Sequence, residues 1–261
     1  MNESLHLIQE RQSIRSFDDR PIDDETKQTI INCAMRAPTA GNMMLYSMIE
    51  ITDQVIKGKL AESCDHQPFI AKAPLVLLFL ADYQRWYDLF QASDVTAYCE
   101  ASGRAMREPS EGDMLLACCD ALIAAQTAVI AAESMGIGSC YIGDILEQFE
   151  YHRDLFDLPQ YTLPITMLCF GYAKTRPSNR TPRFPQELVH FENSYQRLAP
   201  DQLDQMARTN RQPARFVEHA TNIGQHVYGR KFSADFSYEM SRSAREAIRS
   251  WVGDCNGEEI E

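Results

Sequence analysis

The spacing of apolar residues along the chain predicts an alternation of helices and strands. Asp23 and Asp24 can cap a helix that runs to about Arg36, and Pro38 and Gly41 then stop it. The inner face of this helix is predicted to carry Ile30, Ile31 and Ala34.

Two strands with a helix between them are predicted next. Met48–Ile51 is a short apolar strand, and the helix begins at Asp53. The apolar positions of this helix are Val55, Ile56 and Leu60. Pro74–Ala81 is apolar without alternation, as expected of a strand covered on both faces.

The most apolar segment is a long helix predicted at residues 112–135. It is apolar nearly all round, so it belongs in the centre of a fold. Asp120 and Gln126 interrupt it, and because a membrane penalises both side chains, we predict a buried helix rather than a membrane span. Small residues on its surface permit close packing, in a core or at a subunit interface: Ala117, Ala121, Ala124, Ala125, Ala128, Ala131 and Ala132.

The second half of the chain begins with strands predicted at 138–142 and 163–171, separated by a helix near 144–156. Pro177–Pro185 is a loop rich in proline and arginine. From Pro200 onward the pattern predicts two or three Arg-rich helices, and Asn256–Glu261 is predicted to be disordered.

Composition narrows the class of protein. A chain of 261 residues, 44% hydrophobic and 24% charged, suits one sizeable globular α/β domain or two small ones. Its net charge of -12 argues against nucleic acid and anionic membranes as partners. The N-terminus has no basic-then-apolar signal, and the eight cysteines include no C-x-x-C pair, so we expect a reduced, cytoplasmic protein. The six histidines show no zinc-binding spacing, so no metal is expected.

Four separated segments carry the candidate chemistry. They are Arg11–Arg15, Ala37–Asn42, Gly136–Gly143 and Thr181–Pro185. If the first is extended, Arg11 and Ser13 point the same way and offer a charge-assisted donor and a hydroxyl, which suits a phosphate. Taken singly, each segment also has a purely structural explanation: a solvated arginine cluster, a helix end, an ordinary turn or a surface loop.

In this order and at these separations, the four segments resemble the nitroreductase family of FMN-dependent NAD(P)H oxidoreductases. The resemblance runs from about Ser4 to about Tyr195 and is strongest to the larger, NADPH-preferring, oxygen-insensitive subgroup. It implies an α+β fold with a mostly antiparallel central sheet flanked by helices, and a homodimer with FMN in two pockets at the interface. The Ala-rich helix is then the expected dimer seam. Residues 1–199 would form the FMN-binding domain, and 200–261 a helical extension that packs on the domain or on the partner.

The resemblance also implies the cofactor-binding residues. Arg11, Ser13 and Arg183 are expected at the phosphate, and Arg15 toward the pyrimidine end, where a cation would stabilise the anionic reduced flavin. Backbone N–H groups at the end of the strand predicted at 138–142 are expected to face the flavin, one of them toward N5. These groups belong to Tyr141, Ile142 and Gly143. The other expected contacts are Pro38, Thr39, Ala40, Asn42, Gln67 and Arg180.

Two positions depart from the family pattern. Many members place Gln two residues after the Asn of the second segment, whereas this chain has Met44, a soft apolar side chain. Relatives often carry Lys two residues before the phosphate-loop Arg, whereas this chain has Thr181. Arg180 or Lys174 could substitute for that lysine.

The implied reaction is a ping-pong transfer of two electrons from NADPH or NADH, through FMN, to a small electron-poor acceptor such as a nitroaromatic or a quinone. No Ser-His-Asp or Cys-His set stands out, as expected where a cofactor carries the chemistry. Two alternatives stay open. One is a flavin-storage protein with little turnover, and the other is a same-fold enzyme that dehalogenates reductively or supplies reduced FMN.

The C-terminal arginines are candidate ligands for the 2′-phosphate of NADPH. They are Arg208, Arg211, Arg215 and Arg230. Arg230 is favoured because Tyr228–Lys231 places two cations after a flexible glycine. The alternative is that these arginines only solvate helical faces.

Overall fold

The computed structural model describes residues 2–210 and 212–253. Arg211 and the segment Asn256–Glu261 lie outside these residues. Packing divides the chain into two compact units, Met1–Arg176 with Met240–Glu261, and Pro177–Glu239. The domain boundary expected at 199/200 stays a prediction, because it concerns which segment binds the cofactor, whereas these units are defined by packing alone.

The elements of the first unit alternate between helices and strands over its whole length. In chain order they are α1 Glu3–Glu10, α2 Asp24–Ala34, β1 Tyr46–Glu50, α3 Gln54–Ser63, α4 Phe69–Lys72, β2 Leu75–Asp82, α5 Gln84–Ala92, α6 Val95–Ala101, α7 Glu111–Ser134, β3 Gly138–Ile142, α8 Phe149–Leu155 and β4 Thr162–Gly171. The second unit contains α9 Pro200–Thr209 and α10 Ile223–Val227, and α11 Asp235–Val252 runs from it into the first unit.

The four strands form one antiparallel sheet in the order β1-β2-β4-β3. Beyond β3, Ser13 forms a single parallel bridge to Ser139, so the segment before α2 continues the sheet for one residue. This arrangement confirms the predicted α+β fold with a mostly antiparallel sheet flanked by helices.

Both faces of the central strands are covered. Leu75, Leu77 and Phe79 face the core that contains the alanines of α7, whereas Val76 and Leu78 face a second core with residues of α3 and α4. Every residue of β2 and of β4 is buried. The absence of alternation in the sequence of β2 therefore has the predicted cause.

Helix α7 lies against the sheet, as its composition predicts, although by length and composition alone it could cross a membrane. Of the two alternatives for its alanines, the core is the one observed: six are fully buried and Ala131 is half-buried. Whether α7 forms the dimer seam stays a prediction. The exposed face of α7 carries larger apolar residues, with exposed fractions of 37–61%: Leu115, Leu116, Leu122, Ile123 and Ile130.

Several boundaries differ from prediction for local reasons. Asp23 and Asp53 cap α2 and α3 as N-terminal side-chain acceptors, but α2 ends at Ala34, two residues early. The helix expected near 144–156 is divided into a 3-10 turn, Asp144–Leu146, and α8. Val55, in the first turn of α3, is 68% exposed.

Candidate functional site

The Arg11–Arg15 segment leaves α1 in an extended conformation and runs beside β3. The Ile14 amide donates to the Ser139 carbonyl at 2.8 Å, and the Ile14 side chain is buried. Successive side chains of an extended segment point to opposite sides, so Arg11, Ser13 and Arg15 lie on the side away from Ile14. The extended backbone on which this expectation depends is the one observed.

Gly138 allows this close approach. A Cβ built on Gly138 would lie 2.5 Å from Cγ1 and 2.9 Å from Cβ of Ile14. Real Cβ atoms do not approach other carbons so closely, so only glycine lets the segment seat against β3. Gly138 therefore serves the close packing of this segment on β3.

Two guanidinium groups act electrostatically on the end of β3. Burial raises the pKa of Tyr141 to about 12, and the charge of Arg11 opposes that rise. Burial likewise raises the pKa of the Cys140 thiol, and the charges of Arg15 and Arg11 both oppose it. In a chain of net charge -12, this local positive charge suits an anionic ligand.

Gln67 reaches the same strand end from the loop after α3. Its Nε2 donates to Asp144 Oδ2 at 2.8 Å and to the Cys64 carbonyl at 2.9 Å. Asp144 directly follows Gly143, which is exposed and has nothing within 4 Å of the position of a Cβ. The structure therefore brings Gln67 to the end of the Tyr141–Gly143 segment, where open space would admit a planar ring. This positive, open strand end fits the phosphate and ring of FMN.

The turn after Gly143 is held from two sides by residues that the sequence did not indicate. From α3, Ser63 Oγ lies 2.9 Å from His152 Nε2, and the Gln148 amide donates to the Ser63 carbonyl at 3.1 Å. From α11, Ser243 Oγ donates to the Leu146 carbonyl at 2.6 Å. The two residues of each pair lie 85–97 residues apart in the chain, so no local pattern could have revealed them.

His152 should make the fold sensitive to acid. Burial lowers its pKa, so the native state holds it neutral while the unfolded chain takes up a proton below about pH 6.5. Stability is therefore full above that pH and falls as the pH drops below it. Urea unfolding at pH 7.5 and 5.5 should show the loss in the parent and in the exposed-site control His6→Gln, and a smaller loss in His152→Gln. An equal loss in all three would contradict the assignment.

The second group of predicted residues lies on the loop after α2. Thr39 Oγ1 donates to Asp120 Oδ2, and the Ala40 amide donates to Asp120 Oδ1 at 3.0 Å. Pro38 and Asn42 are exposed, and Asn42 has a left-handed backbone with φ 57°. These residues are thus attached to α7 through Asp120, which the sequence marked only as an interruption of an apolar helix.

Met44, at the position where relatives often have Gln, also has a left-handed backbone, with φ 52°. Its amide donates to Thr39 Oγ1 at 2.8 Å, and its carbonyl accepts from Arg85 Nη2 at 2.6 Å. The side chain is half-buried against the core on the α7 face of the sheet. Met44 therefore contributes backbone to the loop and an apolar side chain to its base.

Three predicted residues belong to the second unit, Pro177–Glu239. Arg183 and Arg180 are exposed on the loop before α9, and Nη1 of Arg183 lies 3.2 Å from the Thr181 carbonyl. Arg230 is exposed on a π-helical turn, Tyr228–Phe232. Their binding roles stay predictions. Within the described part of the chain, no group of three or more His, Cys, Asp or Glu side chains is placed to hold a metal ion.

The strand end of this antiparallel sheet is open and positively charged. It indicates a class of protein that holds a planar, anionic cofactor. Comparison with known proteins identifies the class further. The sequence profile described as "Nitroreductase family" matches residues 8–172. The chain is 32% identical over 200 residues to "FMN reductase (NADPH)" of Bacillus subtilis, covering 75% of each chain. It is also 32% identical over 198 residues to "Oxygen-insensitive NADPH nitroreductase" of Salmonella typhimurium, covering 76% of this chain and 77% of the relative.

Solved structures agree with the sequence comparisons. Nitroreductase A from Vibrio parahaemolyticus superposes with a TM-score of 0.78 at 27% identity, covering 95% of this chain and 98% of that one. NADPH:FMN oxidoreductase from Vibrio harveyi, solved with NAD+, gives a TM-score of 0.77 at 27% identity, with the same coverage. The chain therefore belongs to the nitroreductase family. The predicted family and fold are confirmed, and with them the oxidoreductase class.

Proposed function

We propose that this protein uses FMN to pass two electrons from NAD(P)H to small electron-poor acceptors such as nitroaromatics and quinones. The observation that carries the proposal is the seating of Arg11–Arg15 against the start of β3, from which the charges of Arg11 and Arg15 act on Tyr141 and Cys140 near its open end. FMN and NAD(P)H are the cofactors of this family, and relatives of about a third identity are named for them. Supply of reduced FMN is a second candidate, favoured by the relatives that are themselves named FMN reductases.

Different residues bind different parts of FMN. Arg11 and Ser13 hold the phosphate, and Arg15 lies toward the pyrimidine edge, where its charge favours the reduced state. On the family resemblance, Arg183 and Arg180 add further cations for the phosphate. The amides of Tyr141, Ile142 and Gly143 line the ring, with one N–H directed to N5. When bound, FMN supplies the site that accepts hydride.

The active form is a homodimer with an FMN pocket at each end of the interface. Support comes from α7, which exposes a row of large apolar residues, and from α1, which packs on α7, buries none of its own residues and exposes Leu5 and Ile8. A monomer rarely exposes such a continuous apolar face, which is typical of an interface. The partners are small-molecule substrates and a second copy of the chain.

The location we propose is the cytoplasm. Every cysteine that the structure describes is a free thiol. Reduced cysteines are typical of that compartment.

The donor is NADPH, and its 2′-phosphate is held by Arg230. Support comes from the exposure of Arg230 beside Lys231 in an otherwise acidic chain, and from relatives named for NADPH. A single charge-assisted contact of this kind is worth about 1.5–3 kcal/mol.

FMN affinity tests the proposal most directly. Arg11→Ala should weaken FMN binding by about 1.5–3 kcal/mol, because it removes a charge-assisted hydrogen bond to the phosphate. Fluorescence titration of the FMN-free protein measures this, with Arg104→Ala as an exposed control that removes the same charge. A parent protein that stays colourless with added FMN would overturn the proposal. If the parent, Arg11→Ala and Arg104→Ala bind FMN with equal affinity, the phosphate does not lie at Arg11. Oxidation of NADPH with and without a quinone separates an enzyme from a storage protein.

A further inference from the structure

One buried carboxylate holds the backbone of the loop that follows α2. Asp120 lies midway along α7 and is only 3% exposed. Its Oδ2 accepts from Thr39 Oγ1 and from the Leu45 amide at 3.1 Å, and its Oδ1 accepts from the Ala40 amide at 3.0 Å. A single side chain thus holds both ends of a loop that is 75–81 residues away in the chain.

The carbonyl groups of the same loop are held from the opposite side by α5. Arg85 Nη2 donates to the Met44 carbonyl at 2.6 Å and to the Tyr46 carbonyl at 2.7 Å. Trp86 Nε1 donates to the Met43 carbonyl at 2.7 Å. The loop is therefore fixed through its donors by α7 and through its acceptors by α5.

The contacts from α7 and α5 hold the loop in a strained backbone conformation. Gly41, Asn42 and Met44 have φ values of 56°, 57° and 52°. Gly and Asn adopt the left-handed region readily, but for Met it is unfavourable, and such a residue persists only where its surroundings determine it. Strain of this kind is concentrated at ligand-binding sites, and here it lies beside the exposed Asn42 and Pro38.

The side-chain chemistry of Asp120 suits it to holding the loop from Thr39 to Leu45. Among the residues that the structure describes, no Lys or Arg forms an ion pair with it, so its charge is compensated by hydrogen bonds alone. A buried charge costs stability that an apolar residue would not. A carboxylate accepts at both oxygens, whereas the amide of Asn would direct an NH2 group at a loop N–H.

We propose that Asp120 is a positioning residue for FMN binding, and the inference rests on the proposed function. It holds the loop from Thr39 to Leu45 in the one conformation that presents Pro38 and Asn42 as a wall of the FMN site. Asp120 itself is buried and does not touch the cofactor. Thr39 serves as its intermediary, because its hydroxyl donates to Asp120 and accepts from the Met44 amide.

The test compares FMN affinity in Asp120→Asn, Thr39→Val and Thr39→Ser. The first two should weaken binding by about 10-fold, or roughly 1.4 kcal/mol. Thr39→Ser keeps the hydroxyl and should bind as the parent does. Asp113→Asn is the matched control: Asp113 is a buried carboxylate on the same helix, but its partners are Arg107 and the Ser110 amide. It should lower the melting temperature without changing FMN affinity.

Amide hydrogen exchange in the FMN-free protein gives a second readout. At least one of the Ala40 and Leu45 amides should exchange faster in Asp120→Asn than in Asp113→Asn, because Asn keeps only one of the two carboxylate oxygens that accept from them. Unchanged FMN affinity in folded Asp120→Asn and Thr39→Val would overturn the inference, as would an equal loss in Asp113→Asn. If Asp120→Asn does not fold, the Thr39 pair decides alone. The parent titration separately decides the proposed function.

Discussion

Replacing Gly138 with valine should destabilise the protein by about 3 kcal/mol and abolish tight FMN binding. Even a bare Cβ at this position would lie 2.5 Å from Ile14 Cγ1, and Ile14 is 1% exposed, so it has no room to withdraw. Relief requires the Arg11–Arg15 segment to move off β3. Arg11 and Ser13 would then lose their position relative to Tyr141–Gly143. Urea unfolding and flavin titration measure the two effects.

A matched substitution separates crowding from the general loss of a glycine. Gly58, within α3, has nothing within 4 Å of the position that an added Cβ would occupy, so Gly58→Ala should be neutral or stabilising by about 0.4–1 kcal/mol. Shrinking the neighbour should also restore space: Ile14→Ala combined with Gly138→Ala should recover part of the affinity that Gly138→Ala alone loses. If Gly138→Val binds FMN as the parent does, the seating of the segment against β3 does not matter for the cofactor.

Local patterns predicted those parts of the fold that depend on neighbours in the chain. The Asp23 and Asp53 caps, the buried strand β2 and the long helix α7 each follow from a few adjacent residues. Gly138 could be predicted as a packing glycine, but its partner Ile14 could not, because the two are joined only by the folding of the chain. Helices α1, α4, α5 and α6 were not predicted, and no residue of α1, α5 or α6 is buried.

The support of the site was harder to predict than its contacts. Asp120 was visible as a charge in an apolar helix, and a buried charge must find partners. Its partners, however, lie 75–81 residues away, and the sequence gives no means of choosing them. The same holds for Ser63 and His152, which are 89 residues apart. The alanines of α7 were compatible with a core or an interface, and only packing decides between them.

Introducing a charge on the exposed face of α7 should convert a dimer into monomers and release FMN. Leu122 is 46% exposed in the single chain and lies at the middle of the row formed by the exposed apolar residues of α7. In a two-fold interface the same patch meets itself, so Leu122→Glu introduces two like charges into one apolar contact. Desolvating such charges costs several kcal/mol per ion, which opposes association. Light scattering should fall from twice 29.8 kDa to 29.8 kDa.

The control for this experiment is Val55→Glu. Val55 is also an exposed apolar residue, at 68%, but it lies on α3, away from α7, so the mass should stay at that of the dimer. Flavin fluorescence measured on the same samples decides where FMN binds. If each FMN pocket needs both chains, FMN is released at the protein concentration at which the mass falls. A Leu122→Glu monomer that keeps one FMN per chain would place the whole pocket within a single protomer. A parent protein that is already monomeric would show that the exposed face of α7 is not a dimer interface.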